Sequence, residues 1–255
     1  MIRAATVVAS VLLLAFIAVP LAGLFAHLSP AQIGAGLASP VARTALRISV
    51  LTTLISLALT LALGTPLAYV LARGEFRGRT LLDAVVDLPI VVPPAVAGLA
   101  LLLVFGRFGL LGPPLRALGI ELSFTTAAVV MAQIFVASPF YVRAARNGFL
   151  AVDRTLEAAS ATLGMGPLRT FAFVTVPLAA PALLGGAVLC WARALGEFGA
   201  TIMFAGNLEG ISQTLPLAIY LNLENGDISI AIAISVLMIV VSMATILVVR
   251  RYERA

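Results

Sequence analysis

The chain is 255 residues long, 62% of them hydrophobic and 11% charged, with a formal net charge of +5 and a mean hydropathy of +1.13. Such values lie far from soluble globular domains and exclude a soluble enzyme; the bilayer is the solvent in which this chain folds. All 16 strongly basic residues are arginine, and most of them sit in or near short loops beside apolar runs, a pattern that orients a membrane protein and does not grip nucleic acid.

Six membrane helices are expected, at residues 4–27, 44–72, 84–105, 124–142, 181–204 and 228–249. Each is long enough to cross ~30 Å of hydrocarbon, where only helices satisfy their own backbone groups in a chain of this pattern. The first follows Arg3 and runs apolar to Leu28, too long for a signal-peptide core, so a retained span is expected. His27, alone at its outer end, makes no metal site. The second span carries Gly64-Thr65-Pro66, and the third Pro89, Pro93, Pro94 and Gly98. The run Leu88–Pro94 admits two readings: ordinary packing, or the shaping of a translocation cavity or gate. Asp83 and Asp87, at the start of the third span, are expected to complement its N-terminus and the arginines at 73–79, a reading that stands ahead of a gating role.

The loop at 143–180 reads as two short helices. Asp153 is placed to cap the first and Gly164 to stop it; Pro167 opens the second, and Pro177 lies near the entrance to span 5. Ala158, Ala159, Ser160 and Ala161 give a surface of small side chains that lets a partner approach the backbone, with Glu157 as a polar anchor; Leu156 and Leu163 are placed to pack either on that partner or back on the spans. An interfacial amphipathic helix is the bland alternative, but such helices carry basic polar faces. Eleven of the 16 arginines (Arg3; Arg73, Arg77, Arg79; Arg143, Arg146, Arg154, Arg169; Arg250, Arg251, Arg254) fall on the side of this loop. The positive-inside rule puts that side, and both termini, in the cytoplasm.

In span 5, Arg193 and Glu197 stand four residues apart and share a helical face. Intramembrane charges are costly and face a cavity or each other; a mutually neutralising pair that braces the span stands ahead of a pathway role. Cys190 is a lone packing residue, and Asn225-Gly226-Asp227 marks a turn before the last span. No phosphate-cradling loop, metal cluster or nucleophile–base pair occurs in the sequence. An ion-driven secondary transporter is the rival class, but Glu197 is the only carboxylate placed for a mid-membrane relay.

Glu157-Ala158-Ala159, then Gly164, then nine residues to Val174-Thr175-Val176-Pro177, resembles the signature cytoplasmic loop of importer-type ABC permeases, with Val174 and Val176 in place of the commoner Ile and Leu. The stretches Trp191–Asn207 and Gln213–Tyr220, and Leu-Pro-Ile-Val-Val-Pro-Pro-Ala-Val-Ala-Gly at 88–98, are similar to the molybdate/tungstate permeases and, more distantly, the sulfate/thiosulfate permeases. The resemblance covers residues 44–250. It implies a single transmembrane domain over residues 1–255 with the type I importer permease fold, in a prokaryotic inner membrane. It further implies a non-catalytic subunit without cofactors of its own. ATP and Mg would be held by a cytoplasmic ABC ATPase dimer. The other partners would be an extracytoplasmic oxyanion-binding protein, a second copy of the permease and the lipid bilayer, with no nucleic acid. The ATPase-coupling positions it implies are Glu157, Ala158, Ala159, Gly164, Val174 and Pro177. Pro93, Pro94, Arg193, Glu197, Phe198, Gly199 and Asn207 become candidates for the pathway or a gate.

Overall fold

The computed structural model describes residues 2–253, all of whose regular structure is helical. In chain order the helices are α1 (Ile2–Ala26), α2 (Pro30–Leu37), α3 (Pro40–Arg73), α4 (Arg79–Val91), α5 (Pro94–Phe105), α6 (Gly112–Ala117), α7 (Thr126–Ala151), α8 (Arg154–Thr162), α9 (Pro167–Thr170), α10 (Val176–Leu195), α11 (Gly199–Ala205), α12 (Leu215–Glu224) and α13 (Ile228–Glu253). Many begin where the sequence supplies a cap. Ser29 and Gln32 form a capping box on α2, Ser39 caps α3, Thr125 caps α7, and prolines take the first position of α2, α3, α5 and α9. Arg254 lies outside the described residues, as do the side chains of Arg3, Arg250 and Arg251.

Among the described residues, five stretches are long and apolar enough to cross a membrane: Thr6–Ala26, Pro40–Arg73, Thr126–Ala151, Pro167–Leu195 and Ile228–Leu247. The expected third span is not one straight helix: α4 and α5 meet at a bend of 114°. At ~1.5 Å per residue neither half reaches ~30 Å by itself. The break follows from consecutive prolines. Val92, held extended by Pro93, ends α4 (φ −66°, ψ 128°). Pro93 is extended too, and Pro94 restarts the helix from its first position.

The 143–180 segment also departs from expectation. α7 continues through 143–151, and α8 is the one short helix that stands apart. From Pro167 the chain is helical into span 5, through a five-residue π-helical turn at Phe171–Thr175 where the Val176 N–H reaches back to the Phe171 carbonyl. Pro177 supplies no N–H and its ring crowds the carbonyl four residues back, which the wider register relieves. Pro177 is thus inside the span 5 helix, while that helix stops at Leu195, well short of the expected residue 204.

The packing centre is α7. α3 and α10 lie on it around Ala68, Leu71, Tyr141, Ala145, Phe149 and Cys190. Close approach rests on small residues: a Cβ on Gly148 would sit 2.6 Å from Ala182, and one on Gly186 2.6 Å from Ala144. A second cluster joins α5, α7 and α11, and a third joins α3, α12 and α13. α1 packs lightly on α13 and keeps its apolar surface outward.

A polar seam invisible to hydropathy runs through this core. Ser49, Thr52, Thr53, Ser56 and Thr60 are buried along α3. Gln133 Nε2 donates to Thr52 Oγ1 (3.2 Å), Trp191 Nε1 donates to Thr53 Oγ1 (3.2 Å), and the Leu215 N–H donates to Ser49 Oγ (2.8 Å). α3 is thereby bonded to α7, α10 and α12 where no water competes. The helical spacing of these hydroxyl residues was the signal in the sequence.

Candidate functional site

Two regions concentrate the chemistry. The first is the α8 segment. Asp153 accepts the Thr155 N–H at 2.8 Å, and hydrogen bonds from Thr155 hold its exposed carboxyl below the ordinary carboxylate range. Gly164 ends the segment with φ +82°, a conformation that glycine adopts without a Cβ penalty. The sequence pattern anticipated each of these. Ala158, Ala159 and Ala161 are exposed along one side of α8; Leu163 and Leu168, flanking the turn, are 83% and 84% exposed.

Glu157 does not share that outward surface. Its Oε1 accepts from Arg73 Nη2 at 3.2 Å and from Thr175 Oγ1 at 2.7 Å, and both partners of the ion pair are largely shielded. Arg73 Nη2 also donates to the Val152 carbonyl at 2.9 Å. Ser160, one turn further on, is buried with its hydroxyl 2.7 Å from that of Thr170. The inner side of α8 is therefore bonded to α3, the π turn and α9. Val174 is half-buried and Pro177 exposed on the helix that follows.

Asp83 and Asp87 likewise find partners other than those expected. They pair with Arg146 (3.1 Å) and Arg143 (3.5 Å) of α7, not with the arginines at 73–79. The partners lie across the fold and no local spacing encodes them. These bonds matter to α4, none of whose residues is buried.

The second region is where two interrupted helices meet. α10 ends at Leu195 and α11 begins at Gly199; α5 packs against α11 beside the α4–α5 bend. A Cβ on Gly98 would lie 2.6 Å from the Ala200 carbonyl oxygen, and one on Gly199 2.8 Å from Pro94 Cβ. Pro93, Pro94 and Gly199, picked separately from the sequence, are thus brought together. Arg193 and Glu197 form the expected ion pair (Nη1 to Oε2, 2.8 Å), with the carboxylate side chain 1% exposed and the arginine 29%. Glu197 lies past the end of α10, so it is not on a shared helical face; its Oε1 instead accepts the Ala200 N–H at 2.8 Å, in the first turn of α11. One buried carboxylate thereby joins the last turn of α10 to the start of α11.

Phe198 packs against Tyr220 of α12, ring centroids 5.3 Å apart; a hydrogen bond with the Glu224 carboxylate pushes the Tyr220 phenol up. Asn207 is occupied within the chain. It donates to the Leu217 carbonyl (3.1 Å) and accepts from Gln213 (3.0 Å), tying the 206–214 loop to α12.

Residues 64–255 match the family described as the binding-protein-dependent transport system inner membrane component. The chain is 42% identical over 232 residues to the molybdenum transport system permease protein ModB of Mycobacterium bovis, covering 91% of this chain and 88% of that protein. It is 37% identical over 209 residues to a probable sulfate transport system permease protein of Nephroselmis olivacea, covering 82% and 74%. Its fold is similar to a chain of a bacterial ABC transporter that imports the acidic polysaccharide alginate. There the TM-score is 0.78 at 16% identity, over 99% of this chain and 95% of that one.

Proposed function

The chain belongs to the family of binding-protein-dependent transport system inner membrane components, and from that membership we propose that it is the permease of an ATP-driven importer of molybdate or tungstate. The observation that carries the substrate is the 42% identity to a molybdenum permease, sustained over 91% of the chain. Tungstate is included because the two oxyanions share charge, shape and nearly the same size.

In this reading the α8 segment is the seat of a cytoplasmic ABC ATPase dimer, which holds the ATP and Mg; the permease contributes no catalytic group and no cofactor. The exposed alanines of α8, with Leu163 and Leu168, offer the small and apolar surface for docking. Both termini are cytoplasmic, on the arginine-rich side. An extracytoplasmic oxyanion-binding protein delivers the substrate. A second copy, related by a two-fold axis, supplies the other half of the pathway. The paired breaks at Pro93–Pro94 and Gly196–Phe198 are the gate candidates. Irregular backbone at membrane depth is tolerated where it is packed in protein or lines a cavity. The neutralised Arg193–Glu197 pair suits a conduit that must release a dianion and not hold it.

The identity to a sulfate permease supports a second reading, a sulfate/thiosulfate importer. ATP-driven uptake of labelled molybdate into proteoliposomes holding the permease, its ATPase and its binding protein separates the two. Competition by tungstate but not sulfate is expected. Competition chiefly by sulfate would overturn the molybdate/tungstate reading.

A further inference from the structure

The sequence casts Glu157 as an anchor offered to a partner, yet its carboxylate points into the protein. A single oxygen receives Arg73 from the last residue of α3 and Thr175 from the last residue of the π turn. Thr175 is fully buried, and the Arg73 side chain is 13% exposed. Behind this point the rings of Tyr69, Phe149 and Phe171 lock the ends of α3, α7 and the π turn, with centroids 4.9–5.9 Å apart. The Ser160–Thr170 hydroxyl pair makes a second tie on the same side of α8. The shielded polar ties between α8 and the body are on this inner side, while its alanines face out; the one other tie among the described residues, Arg154 to Glu75 at 3.8 Å, is exposed to solvent.

We infer that Glu157 is a positioning residue: with Arg73 and Thr175 it latches α8 to spans α3 and α10, so that displacement of the outer face is passed to both spans together. This deepens the reading of the α8 segment as the ATPase seat and rests on it. A docking surface can be sound and still transmit nothing if the element bearing it rocks against the spans. A short helix such as α8, joined by chain turns alone, would do so. Shielded from solvent, the ion pair holds one geometry, and Thr175 places the joint at the π turn, where the helix register is already widened.

The test uses the complete complex of permease, ATPase and binding protein in proteoliposomes, with molybdate taken up per ATP hydrolysed as the readout. Glu157→Gln, Arg73→Gln and Thr175→Val are expected to co-purify with the ATPase as the parent does. Uptake per ATP should fall by roughly tenfold in the first two, within the usual range of coupling between linked sites, and by less in the third. The double variant Arg73→Gln/Glu157→Gln should be no worse than either single change, since both break one latch. If Glu157→Gln alone strips the ATPase while Arg73→Gln and Thr175→Val behave as the parent, Glu157 is a docking residue and the latch is overturned; multiplying defects in the double variant would overturn it too. The same cycle read as thermal stability of the isolated permease tests the latch without any ATPase: coupling between positions 73 and 157 supports it, and additivity sinks it. Failure of the parent to bind an ATPase would instead count against the proposed function.

Discussion

Replacing Glu197 separates a brace from a substrate contact. Its carboxylate accepts Arg193 and the Ala200 N–H at 2.8 Å each, and the side chain is 1% exposed. Glu197→Ala removes a charged acceptor from a buried N–H, a loss of about 1.5–3 kcal/mol. It also orphans Arg193, but that side chain is 29% exposed, so solvation discounts the second penalty to about 1 kcal/mol. The total of about 3 kcal/mol corresponds to a fall in Tm of about 6–12 °C for a chain of this size. Arg193→Met is the harsher change, at about 3–5 kcal/mol, because it strands the buried carboxylate. Glu197→Gln keeps an acceptor for the Ala200 N–H and should cost least. The double variant Arg193→Met/Glu197→Gln should be milder than Arg193→Met alone, since no stranded charge remains. Thermal unfolding of the purified permease in lipid nanodiscs measures all four. A Glu197→Ala protein as stable as the parent, or simple additivity in the double variant, would refute the bracing role.

Two further outcomes follow from backbone geometry. Gly98→Ala puts a methyl 2.6 Å from the Ala200 carbonyl oxygen and 2.7 Å from Met203 Cβ. α5 must then separate from α11, at about 1–3 kcal/mol, so thermal stability should fall; Gly185→Ala, with open space around its Cβ, is the control and should be neutral. Gly164→Arg meets no neighbour but imposes a side chain at φ +82°, a strain of about 1–2 kcal/mol. It also sets a guanidinium beside the exposed alanines of α8. The spans should stay folded by gel filtration while the ATPase no longer co-purifies, and retention of normal ATP-driven uptake would remove the docking role from this turn.

Much of this molecule is legible in its sequence because the physics involved is local. Hydropathy alone sets the apolar spans, since a helix in hydrocarbon satisfies its own backbone wherever it packs. The Asp153 cap, the Gly164 stop and the Pro167 start are likewise written within a few residues of where they act. The Arg193–Glu197 pair was found by spacing too, though it forms across the end of α10 and not along its face.

What only the tertiary structure decided is direction and partnership. A proline pair in a membrane helix can kink it or break it. Here α5 is seated on α11 through Gly98, and the span turns by 114° at Pro93. Asp83 and Asp87 have arginines near them in sequence, but α7 places Arg146 and Arg143 within 3.1 and 3.5 Å. The sharpest case is Glu157: sequence marks the residue, but a nine-residue helix can be rolled either way about its axis. Arg73 and Thr175, 84 and 18 residues distant along the chain, settle which way its carboxylate points. Composition and spacing therefore determined what kind of protein this is. Long-range contacts decided the rest: shielded bonds to Glu157 hold the loop, and close packing at Gly98 sets where the third span turns.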